Sequence, residues 1–140
     1  MATTSSEELT EILEVRLLLE PWVTARAATM HTAEELAALD GAVDLGWEGV
    51  RDNRPDLTIS AHHRFLQSIA RMSGHTTAVA ALTPLHHRTL LAFAAARTRV
   101  RPEGWQIHQD VRDAIAAREG ARAEALTRDH LTSRLDGSGH

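Results

Sequence analysis

Apolar residues recur at helical spacing along nearly the whole chain. Ser5-Ser6-Glu7-Glu8 reads as a cap followed by acidic residues in a first turn, and Leu9, Ile12, Leu13, Arg16, Leu17 and Glu20 then mark successive turns. Pro21 removes an internal hydrogen bond and would kink the helix or end it at Glu20, but Trp22 to Met30 keeps enough alanine to resume, so one kinked helix to about Met30 is expected. Thr32-Ala-Glu-Glu35 has capping-box spacing and introduces a second helix through Leu36, Leu39, Val43 and Trp47. Arg51-Asp-Asn-Arg-Pro55 breaks the pattern. Asp56 is the expected cap of a third helix, from about Leu57 to Met72 and closed by Gly74.

The stretch Ala78 to Thr98 is nearly all small or apolar, which predicts a buried helix started by Thr76 or Thr77 and kinked or split at Pro84. After a Val100 to Gly104 loop, Trp105, His108, Val111, Ala114 and Ile115 share one face of a helix reaching about Arg118. Glu119-Gly120 interrupts, and Ala121 to Leu135 forms the last helix with Ala125, Leu126 and His130 in register. Period-two alternation never persists, so no strand is expected. The pattern predicts an all-α bundle of six or seven helices in one domain, 1–135, with a disordered tail at 136–140.

Composition narrows the chemistry. The chain has no cysteine, which removes disulfides, zinc-thiolate sites and thiol nucleophiles, fits a reducing cytoplasm, and leaves His, Asp and Glu as the available metal ligands. There is neither an N-terminal apolar leader nor a run near the roughly 18 apolar residues that a membrane span needs, so no membrane partner is expected. The net charge is −4, and all 15 basic residues are arginines spread along the chain, which argues against nucleic acid binding by this chain. The nine histidines are the compositional oddity.

Four positions stand out. His62 lies three residues before Phe65, on the face that also carries Ile69 and Met72, and so points inward. His108 and His130 sit in the apolar registers of two later helices. Arg16 interrupts an otherwise apolar face, where it pairs either with a ligand carboxylate or with Glu20 one turn on. His63 reads as a surface or supporting residue, and His86 and His87 as packing or wet-face residues, one of which can face a cavity. His75 reads as a helix-terminus residue, and Trp22, Trp47 and Trp105 as core or cavity wall.

Taken in order, several segments resemble one family. Glu14-Val-Arg-Leu-Leu-Leu-Glu-Pro21 followed by Thr32-Ala-Glu-Glu-Leu36 is similar to the start of an FCD domain, the effector-binding domain of FadR-type regulators in the GntR family of transcription factors. Phe65-Leu-Gln-Ser-Ile-Ala-Arg-Met-Ser-Gly-His75 resembles its Phe-His-x-x-Ile-Ala-x-x-Ser-Gly-Asn segment. His108-Gln-Asp-Val-Arg-Asp-Ala-Ile115 and Ala125 to Leu131 resemble its last two signatures.

The resemblance implies an antiparallel bundle with an interior cavity, a divalent metal held by one Asp and three His, a small carboxylic acid effector, and a homodimer. Its late ligand positions are intact as His108 and His130. The position normally Asp is His62, and the one normally His is Leu66. The expected site is therefore a three-His centre of His62, His108 and His130 for Zn, Ni or Fe, with Arg16 added to bind the ligand, or an apolar cavity without metal.

Such regulators place a winged helix-turn-helix before this domain, and this sequence has none before its first helix, so DNA binding is not expected of this chain. An excised domain and a free-standing one both remain open. Two function classes follow. The first is a cytoplasmic sensing domain for a small organic acid. The alternative is an enzyme acting on a small metabolite in the same cavity, metal-assisted or with His62 or His63 as general acid and base.

Overall fold

A computed structural model describes residues 6–137 as six α-helices, with no strand among those residues. They are α1 (Ser6–Met30), α2 (Ala33–Arg51), α3 (Pro55–Met72), α4 (Thr76–Ala96), α5 (Pro102–Ala116) and α6 (Gly120–Leu135). The count resolves to six because α1 continues through Pro21 and α4 through Pro84. A proline inside a helix removes one bond and need not end it where neighbouring helices pack both halves. The expected cap at Ser5 and the last three tail residues, 138–140, lie outside the described residues.

Most helix boundaries follow local chemistry. In the Thr32 capping box, Glu35 N donates to Thr32 Oγ1 at 3.1 Å and Thr32 N donates to Glu35 Oε1 at 3.0 Å. Gly74 adopts φ 65° just beyond α3, a conformation without steric cost only for glycine. Two expected caps and one helix end are corrected. α3 starts at Pro55, whose fixed φ and missing N–H suit a first helical position, so Asp56 lies inside the first turn and pairs with Arg54 at 2.7 Å. α4 is capped by His75, whose Nδ1 accepts from Ala78 N at 3.0 Å, rather than by a threonine. α5 ends at Ala116, and Arg118 takes φ 59° beyond it. The Arg118 guanidinium donates to the carbonyls of Thr29 at 3.0 Å and His31 at 3.2 Å. It thereby caps α1, whose last turn has no basic residue of its own.

α1 runs through the middle of the bundle, packing on α3, α4, α5 and above all α6, while α2 packs on α3 and α5. Small residues make the α1–α6 approach close: a Cβ on Gly120 would stand 3.3 Å from the carbonyl oxygen of Ala25, and Ala27, Ala28 and Ala123 are fully buried. Leu39, Val43, Phe65, Ile69, Met72, Val111 and Ile115 complete the core. Of the three tryptophans, Trp105 is wholly buried and Trp47 is half-buried, its indole donating to Gln109 Oε1 at 3.0 Å. Trp22 departs from expectation. It is 46% exposed on the outer face of α1, edge-on to His75 and beneath the Arg26 guanidinium.

Candidate functional site

Five helices deliver side chains to one interior cavity. α1 contributes Arg16 and Glu20, α3 His62 and Leu66, α4 His86, α5 His108, and α6 His130. The cavity has about 30 Å³ of free space, and a second of about 40 Å³ also meets His62, His108 and His130 and extends to Arg99 and Arg134. The three expected histidines do come together. His108 is central, its ring 5.2 Å from that of His62 and 5.5 Å from that of His130, with both neighbours nearly perpendicular. Trp105 stacks on one face of His108 at 4.4 Å, and Phe65 stands edge-on at 4.8 Å. The Nδ1 of His108 is buried without a hydrogen-bond partner among the described residues.

Burial keeps these rings neutral. It pushes His62 and His108 well below the usual imidazole value, helped for His62 by His108, Arg16 and Arg134 and for His108 by His130 and Arg134. His130 is lowered to about 4 by burial, then by Arg134 and Arg16. In the unfolded chain each of these groups takes up a proton near pH 6.5, whereas the folded chain resists it. Stability is therefore whole above about pH 6.5 and falls as pH drops toward 4, by up to about 3 kcal/mol from His130 alone at about 1.4 kcal/mol per pH unit. Replacing His130 by Asn is expected to flatten that slope. Melting temperature measured across this range checks it, and a flat wild-type profile contradicts it.

Arg16 resolves in favour of the internal pair while still lining the cavity. Its Nε donates to Glu20 Oε1 at 2.6 Å and its Nη2 to Oε2 at 3.1 Å, a bidentate arrangement, and Nη1 reaches Thr89 Oγ1 at 3.4 Å. His86 Nε2 lies 2.5 Å from the same Oε1. Burial alone would raise the Glu20 carboxyl, but Arg16 first and His86 second outweigh it and hold Glu20 down at about 2. Arg134, one turn beyond His130 on α6, has no carboxylate partner among the described residues. Its guanidinium lies 4.7 Å from the centre of the Phe93 ring. Desolvation and Arg16 both lower its pKa, the mark of a positive charge without compensation.

The remaining expected residues lie apart. His63 lines an outer groove with Ser60, Leu90 and Arg97, whereas His62 faces the interior. His87 is exposed on α4. Sequence reasoning missed Arg134 and the link from Glu20 to His86. The His130 to Arg134 interval of one helical turn was a readable signal, but pairing across α1 and α4 had none.

A divalent metal, implied by the resemblance, can be tested against these residues. Neutral imidazoles are suitable donors, and the orphaned His108 Nδ1 is a free one. Yet among the described residues no three His, Asp or Glu side chains stand at metal-ligand spacing. The cavity's carboxylate, Glu20, is committed to Arg16 and His86, and Arg16 and Arg134 add positive charge where an ion would add two more. As arranged, the three histidines do not fit a divalent metal. The Asp to His62 and His to Leu66 departures account for this. They remove the carboxylate that would offset the ion and replace one donor with a buried apolar wall.

The FCD domain family matches this chain over residues 11–133. The chain belongs to that family. No curated protein sequence matches it. Among solved structures, Streptococcus agalactiae GntR is similar at 21% identity and a TM-score of 0.77, covering 95% of this chain and 60% of that one. E. coli McbR/YncC is similar at 17% identity and a TM-score of 0.78, over 96% of this chain and 69% of the other. At such identities the likeness shows the fold of this FCD domain. The chain spans about 60% of the length of the Streptococcus protein. No helix among the described residues is long and apolar enough to cross a membrane.

Proposed function

We propose that this FCD domain is the sensing half of a GntR-type regulator and binds a small organic acid inside the bundle without a metal. The observation that carries this reading is Arg134, a largely enclosed cation at the cavity edge with no carboxylate partner among the described residues. An incoming carboxylate supplies the missing charge in bidentate fashion. The neutral rings of His62, His108 and His130 beside it each offer one donor and one acceptor, and His108 Nδ1 is already without a partner.

Signalling follows from space. About 30 Å³ holds one or two waters, so an organic acid enters only if helices move apart. His130 and Arg134 ride on α6, Arg16 rides on α1, and these two helices share the most extensive interface of the bundle. A ligand gripping both favours the separated arrangement by its difference in affinity for the two. In this reading the domain works as a homodimer, and its DNA-binding partner domain receives the shift.

The test is titration of tag-free protein with short mono- and dicarboxylic acids, followed by the ring resonances of His62, His108 and His130 and by melting temperature. A binding acid is expected to move those resonances saturably, and Arg134→Gln should weaken it about tenfold or more. If no acid moves them, or Arg134→Gln binds as tightly, the reading is overturned. Stoichiometric Zn, Ni or Fe in the same preparation, with melting lowered by a chelator, overturns its metal-free part.

A further inference from the structure

Outside the cavity, a groove of about 680 Å³ opens between the start of α1, the α4–α5 connection and the end of α6. Its polar walls are Arg99, Arg101 and Arg134 with the hydroxyl residues Ser6, Thr10 and Thr98, and its floor is Leu9 and Leu13. Among the described residues no carboxylate lines it. Arg99 is held by a neutral group, its Nη1 donating to Asn53 Oδ1 at 2.9 Å, so its charge is positioned but not compensated. Among the described residues none of the three arginines has a carboxylate partner, whereas Arg16 pairs with Glu20 and Arg112 with Asp40. Three uncompensated guanidiniums in one concavity repel one another, an arrangement that a multiply charged oxyanion relieves.

The groove adjoins the interior. Thr98, Arg99 and Arg134 line both the groove and the inner cavity that meets His62, His108 and His130. Arg134 thus faces two compartments.

We infer that this groove is a phosphate subsite and that the effector is a phosphorylated organic acid, its phosphate held outside by Arg99, Arg101 and Arg134 and its carboxylate directed past Arg134 toward the histidines. Phosphate suits the outer position because it carries more charge than one carboxylate and offers three oxygens to three guanidiniums arriving from two chain segments. The carboxylate half of this inference rests on the proposed interior acid site, whereas the phosphate half does not.

The test uses three probes on the whole chain: inorganic phosphate, acetate, and phosphoglycolate, which joins the two groups. Nε–Hε resonances of the arginines report the groove, and histidine ring resonances report the interior. Phosphate is expected to move the arginine signals saturably, and phosphoglycolate to bind at least about tenfold tighter than either single probe. An Arg99→Gln/Arg101→Gln variant, altered at exposed positions, should lose phosphate binding about tenfold while acetate still moves the histidines. Phosphate binding left unchanged by that variant overturns the subsite. Phosphate binding lost in the variant, with histidines silent to every carboxylate, supports the phosphate subsite and overturns the interior acid reading. A protein that takes phosphate and acetate but binds phosphoglycolate no tighter has two independent sites, which overturns the joined ligand.

Discussion

Glu20→Ala is expected to cost about 3–5 kcal/mol of folding stability, since it strands a buried guanidinium. Arg16 and Glu20 are both nearly inaccessible, and Glu20 is also the partner of His86, so one carboxylate satisfies groups from α1 and α4. Replacing both members of the ion pair, Arg16→Met with Glu20→Leu, removes the stranded charge and should cost less than the single change. Urea unfolding of the three proteins decides it. A single variant within about 1 kcal/mol of wild type would show that the pair is dispensable. The same carboxylate adds an acid limb to the stability profile. Its folded pKa of about 2 lies below its ordinary 4.5, so its contribution is present above about pH 4.5 and is lost as pH falls toward 2. That limb begins where the one from His130 ends, so the two separate in a pH titration.

Trp105→Ala should be comparably severe, at about 3–5 kcal/mol, and should also disturb the cavity. The indole is wholly buried, donates to the Val43 carbonyl at 3.1 Å and supports the His108 ring. Its place depends on Gly46, where a Cβ would come within 1.8 Å of the ring. Trp105→Phe keeps an aromatic face for His108 and loses the indole bond to the Val43 carbonyl, which keeps its own partner within α2, for about 1 kcal/mol. Trp22→Ala provides the contrast, since that ring lies on the surface and its loss should stay within about 1 kcal/mol. Thermal and urea denaturation of the three variants measures the ranking. Equal losses for Trp22→Ala and Trp105→Ala would contradict it.

The two tryptophans also show where pattern reading works. On α5, Trp105, His108, Val111 and Ile115 form one stripe with polar residues between, so the buried face was legible. On α1 apolar residues occur all around the helix. Ile12, Val23 and Ala27 turn inward while Val15, Leu18 and Trp22 turn out, so nothing in the local pattern separated the two faces. The prolines were harder to read locally. The first helix was expected to pass through Pro21, as it does, whereas Pro84 left a kink or a split open because it removes a bond, and packing against other helices holds α4 together there.

Local chemistry in the sequence determined the α-helical class, the capping box at Thr32, the stop at Gly74 and the family, because caps, periodicity and motif order act over a few residues. It also placed His62, His108 and His130 on inward faces. Only the tertiary structure decided what those faces meet. The spacing of three rings on three helices, the commitment of Glu20 to Arg16 and His86, and the opening of Arg134 onto both cavity and groove depend on how helices far apart in the chain cross. A ring displaced by an ångström or two leaves metal-ligand distance, and no local rule carries that information.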